Sequence, residues 1–126
     1  MRERRQQELS IIAPEFGELE ISAALDWFIV NRLALTSGWS MEVTPVLILI
    51  PSGYPTTPPD NFYTDPNLRL KNGQQPGSTS GAVQLGKQWL QFSYHVEDWQ
   101  PHGDFHRGHN LLSFLYGVRR RLSEVD

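Results

Sequence analysis

Cysteine is absent from all 126 residues, which excludes a disulfide scaffold, thiolate metal ligation and every cysteine nucleophile. No apolar run approaches the ~20 residues that a membrane span requires, and the charged start is not followed by the apolar stretch of a signal peptide. Positive charge is scarce as well. Lys and Arg number 11 against 14 Asp and Glu, a net charge of −3, so no basic face is large enough to neutralise a run of phosphates and nucleic acid is not an expected partner. The expected location is the cytoplasm, with no membrane partner.

Hydrophobic residues make up 39% and aromatics 11% of the chain, enough for one core and too much for a disordered tail. The length suits a single domain, 1–126, because a second core would need more chain. No internal repeat is visible.

The arginine-rich start predicts a short helix over 2–12, ended by Pro14 and Gly17. Residues 18–22 and 26–33 read as an antiparallel pair, with Leu19 and Ile21 alternating with polar positions. From Val46 to Ile50 every residue is Val, Leu or Ile, as in a strand buried on both faces, with Pro45 suited to its start. Pro51, Pro55, Pro58 and Pro59 then make an ordered, ladder-free loop, and 62–70 offers a fourth short strand. Gly and Ser crowd the span 73–87, which reads as a mobile loop. A closing helix over 104–123 places Phe105, Leu112, Leu115 and Leu122 at helical spacing, with Asp104 as its N-cap. The expected fold is α+β: an N-terminal helix, a three- to four-stranded antiparallel meander, a proline-rich loop and a C-terminal helix.

One ordered series of motifs is distinctive. Tyr54-Pro55-Thr56-Thr57-Pro58-Pro59 precedes Phe62, Asp65-Pro66-Asn67 follows, and Trp99-Gln100-Pro101 forms a Trp-x-Pro ahead of the last helix. The series resembles the ubiquitin-conjugating enzyme superfamily, which has a His-Pro-Asn where Asp65-Pro66-Asn67 stands. Gly38-Trp39, the strand ending Pro51-Ser52-Gly53-Tyr54-Pro55, Trp89 to His95 and Trp99 to His109 bring it closer to a bacterial branch, the prokaryotic ubiquitin-conjugating-enzyme-like family E. The resemblance runs from Trp27 onward. It implies the fold of that superfamily and acyl transfer, in which an activating enzyme hands over the C-terminal carbonyl of a ubiquitin-like protein for delivery to an acceptor. The implied partners are those two proteins, fused to this chain or in complex with it, and no cofactor is implied.

The superfamily carries its acyl group on a cysteine shortly before the Trp-x-Pro, and here there is none. Ser93, six residues before Trp99, is the nearest nucleophilic side chain and the candidate acyl acceptor. A serine hydroxyl needs an adjacent base, and His95 or His109 is the candidate. In an extended segment Ser93 and His95 would project from one face, their Cα atoms about 6.6–6.8 Å apart. By the resemblance, Asn67 is a candidate oxyanion donor, with an Asx-type turn as its ordinary role. Asp65, Trp99, Pro101 and Asp104 are expected to support the site, and Arg2, Arg4 and Arg5 to meet the activating enzyme; a solvated helix end is the plainer role for those arginines. Loss of the cysteine also fits an inactive variant that binds a ubiquitin-like protein or an activating enzyme without bonding to it. A metal enzyme is a third alternative, because His95, His102, His106 and His109 crowd one span; no glutamate accompanies them as a base and no metal site is expected.

Overall fold

A computed structural model of the chain describes residues 2–126. The first helix, α1 (Arg2–Ser10), turns Arg4, Glu8 and Leu9 inward. It is shorter than the expected 2–12 because Pro14 opens a separate turn of helix, α2 (Ala13–Phe16), which stops at Gly17 with φ 84°. No helix among the described residues is long and apolar enough to cross a membrane.

Six strands follow: β1 (Leu19–Ile21), β2 (Trp27–Ala34), β3 (Val43–Leu49), β4 (Phe62–Thr64), β5 (Thr79–Gln84) and β6 (Lys87–Phe92). They form one antiparallel sheet in the order β1-β2-β3-β4-β6-β5. Val46, Leu47 and Ile48 of β3 are all fully buried, as the unbroken apolar run predicts. Val46 and Ile48 face the helices, whereas Leu47 joins Ile29, Tyr63 and Trp89 on the opposite face. Pro45 lies inside β3 rather than before it. The pairing with β2 shifts register between Val30 and Leu33, and β4 reaches β3 only at Leu47, so its missing N–H costs no regular ladder bond.

The sheet has six strands, not three or four, because the span 73–87 contains β5. Its residues are small or polar apart from an exposed Val83, which hides the strand in the sequence, and Leu85 and Gly86 at φ 53° and 73° close a two-residue hairpin onto β6. The last helix, α3 (Leu111–Ser123), also starts later than expected. Its N-cap is Asn110, whose side chain accepts from the Ser113 N–H while the Ser113 hydroxyl accepts from the Asn110 N–H. Asp104 instead caps a preceding turn by accepting from the His106 N–H at 3.0 Å. Gly108 holds that turn against the chain, since a Cβ there would lie 2.7 Å from the Gln100 carbonyl oxygen. Helices on one face and the main core between them and the sheet make the expected α+β arrangement.

Candidate active site

The proline-rich loop between β3 and β4 is held from below. Tyr54 is buried and donates to Glu8 Oε1 at 2.5 Å, and the Trp99 indole N–H donates to the Pro55 carbonyl at 2.8 Å. Glu8, itself fully buried, also accepts from Arg4 Nε at 2.7 Å and from the Leu111 N–H at 2.7 Å. One carboxylate therefore ties α1, the loop and the start of α3 together. Burial first, and then the hydrogen bond to Glu8, push the Tyr54 phenol far above its ordinary range, so it stays a neutral donor.

The loop ends at buried Pro59, exposed Asp60 and Asn61, the last in a left-handed conformation with φ 66°. Asn61 then clamps the chain just beyond β6: its N–H donates to the Tyr94 carbonyl at 2.9 Å, and its Oδ1 accepts from the Tyr94 N–H at 3.2 Å. Tyr94 points inward, edge-on to Phe62 and Phe114, and its hydroxyl fills the space that a Cβ on Gly117 would need. Burial raises its pKa, with Arg120 pulling the other way. With Tyr94 inward, side-chain alternation turns Ser93 and His95 outward, and both are exposed.

Three side chains meet on that outer surface. His95 Nε2 lies 3.5 Å from Ser93 Oγ, and His95 Nδ1 lies 2.5 Å from Asp60 Oδ1. A carboxylate at Nδ1 fixes the tautomer with its proton there, which leaves the Nε2 lone pair toward the hydroxyl. The separation at Ser93 is long for a hydrogen bond, as is common before a substrate is bound. Ser93 is further held by its N–H, which donates to the Ser78 carbonyl at 2.9 Å.

The other sequence candidates lie elsewhere. Asp65, Pro66 and Asn67 follow β4 at the end away from Asn61, four residues or roughly 13 Å along the strand. There Asp65 Oδ1 accepts from the Asn67 N–H at 2.8 Å, an Asx turn. His109 accepts from the Gln100 N–H at 2.9 Å, donates its own N–H to the Gln100 carbonyl at 3.0 Å and stacks on Trp99. Trp99, half-buried Pro101 and His109 thus frame the loop beneath the site, and Asp104 belongs to the turn above α3. The arginines of α1 are engaged by the chain itself. Arg2 donates to the Ala23 carbonyl at 3.2 Å, Arg4 to that of His102 at 2.6 Å, and Arg5 to those of Leu25 at 2.7 Å and Pro51 at 3.0 Å.

Among the described residues no three His, Asp or Glu side chains gather as metal ligands. His102 is directed to the Asp104 N–H, which it accepts at 2.9 Å. Sequence reasoning missed Asp60 and Asn61. Their position after Pro58-Pro59 carries no chemical signature, and only the pairing of β4 with β6 sets them beside residues 93–95.

The model of the family described as prokaryotic E2 family E matches residues 6–123, almost the whole chain. No curated protein and no solved structure gives a match.

Proposed function

Because the chain belongs to prokaryotic E2 family E, a ubiquitin-conjugating-like family, we propose that it receives the C-terminal acyl group of a ubiquitin-like protein as an ester on Ser93 Oγ and passes it to an acceptor. The supporting observation is the array on the outer surface: Ser93 Oγ 3.5 Å from His95 Nε2, with Asp60 on Nδ1. In a chain without cysteine this hydroxyl is the exposed nucleophile with a base beside it, just ahead of the Trp-x-Pro segment. Ser93 Oγ attacks the activated carbonyl, His95 Nε2 takes the hydroxyl proton and passes it to the leaving group, and the activating enzyme departs. A positioned base of this kind is worth about 10²–10⁴-fold. His95 then takes a proton from the incoming nucleophile and returns it to Ser93 Oγ as the ester bond breaks.

Family membership supports a ubiquitin-like protein and an activating enzyme as the partners. Incubation of the chain with both and ATP should give an adduct that alkali cleaves and thiols do not. Ser93→Ala should abolish the adduct and Ser78→Ala should retain it, because Ser78 contacts Ser93 through its carbonyl alone. Mass spectrometry that places the acyl group on a lysine, or on Ser78, Thr79 or Ser80, would overturn the assignment. Complete absence of an adduct, with the two proteins still binding, would establish the non-covalent module instead.

A further inference from the structure

The geometry points to a second activity of the same three residues: water-driven ester hydrolysis, which discharges the Ser93 acyl group whenever no other acceptor is present. This rests on the Ser93 reading and goes beyond it. Three observations carry it.

First, the base is shared by both half-reactions. Nε2 is the imidazole nitrogen facing Ser93 Oγ, while Nδ1 is held by Asp60, so one ring must serve both the arrival and the departure of the acyl group. Second, the site is wet. The side chains of His95 and Asp60 are 65% and 67% exposed, and Ser93 is exposed beside them. Water therefore reaches the face of an ester on Oγ that the imidazole also faces. Third, the orienting carboxylate comes from a different element. Asp60 ends the proline-rich loop, and Asn61 bonds that loop to Tyr94 through two hydrogen bonds, so Asp60 and His95 are held in register by the backbone. A nucleophile, a base and a group that orients the base form the constellation that hydrolyses esters on unrelated folds.

Water is the one co-reactant. Ser93 Oγ forms a bond to the carbonyl carbon, its proton passes to His95 Nε2, and the leaving alcohol departs with that proton. A water oxygen then attacks the same carbon and gives a proton to Nε2. The carbon–Oγ bond breaks, Oγ takes the proton back, and a carboxylic acid leaves. The substrates are activated carboxylic esters and the chain's own acyl adduct. Asp60 acts through His95 and is a positioning residue.

The experiment uses the full chain and p-nitrophenyl acetate, with no partner protein. Expected are many turnovers per chain and a transient acetyl group on the peptide carrying Ser93. Ser93→Ala should fall to the background of surface amines and imidazoles, and His95→Ala should slow turnover by about 100-fold or more. Asp60→Asn should slow it by about tenfold or more, with partial rescue in Asp60→Glu, whereas a merely structural Asp60 would lower the rate only together with the melting temperature. All three positions are exposed, so melting curves should match those of the original chain. A single stoichiometric burst that leaves a stable acetyl-Ser93 would overturn hydrolysis and leave the carrier reading standing. No acetylation of Ser93 at all would overturn both. Turnover that is indifferent to Asp60→Asn would remove Asp60 from the site.

Discussion

Glu8 shows how much one side chain can decide. It is fully buried inside the first helix, and its two oxygens accept from Arg4, Tyr54 and the Leu111 N–H. Glu8→Gln would leave the largely buried Arg4 guanidinium without its counter-charge and weaken the other two bonds. The expected loss is about 3–5 kcal/mol, read as a lower midpoint in denaturant at unchanged slope. Tyr54→Phe removes one bond to a charged group and should cost about 1.5–3 kcal/mol. Equal melting of Tyr54→Phe and the original chain would mean that the phenol contributes packing alone. The sequence marks Tyr54 through its proline-rich motif but gives Glu8 no mark, because a glutamate in an arginine-rich helix reads as solvated. Only the docking of α3 against α1 makes it a buried hub.

Elements were legible in proportion to how strongly they are buried. β3 announces itself through three consecutive apolar residues that face both sides of the sheet. The body of α3 is similarly plain, with Phe114, Leu115, Val118 and Leu122 buried at helical spacing. Its start was misplaced because Asp104 and Asn110 are both good caps, and the choice between them depends on where Gly108 packs. β5 left no such trace. Its residues are small or polar, Val83 is 60% exposed, and the turn that pairs it uses Leu85 instead of the usual Asn. Leu85→Asn should therefore stabilise the hairpin. Asn tolerates the left-handed conformation, and relief of part of the roughly 1–2 kcal/mol strain at φ 53° should raise the melting temperature by a few degrees. A lower melting temperature would show that the exposed Leu85 side chain contributes more than its backbone costs.

Across the whole molecule, stability should be graded along the sheet. β2 and β3 lie inside it with both faces covered, whereas β5 is an edge strand with one exposed flank. Amide hydrogen exchange is expected to be slowest in Phe28 to Val30 and Val46 to Ile48, and fastest among the strands in Ser80 to Val83. Uniform protection across all six strands would mean that the sheet opens only as a unit. The expected gradient bears on the site, since Ser93 is pinned to Ser78 beside the edge strand β5 while Tyr94 is pinned to Asn61 beside the interior strand β4.

Composition and pattern by themselves determined the α+β class, the doubly buried strand and the family resemblance, and they singled out Ser93 and His95 as candidates on one face, because burial periodicity and alternation along a strand are local properties. The partner of that pair was decided by tertiary structure alone. Asp60 stands 35 residues from His95, and Asn67, the asparagine that the motif order favours, lies at the far end of β4. Antiparallel pairing brings together residues whose distance along the chain carries no record of their contact, so the register of β4 on β6 determined which carboxylate faces the imidazole.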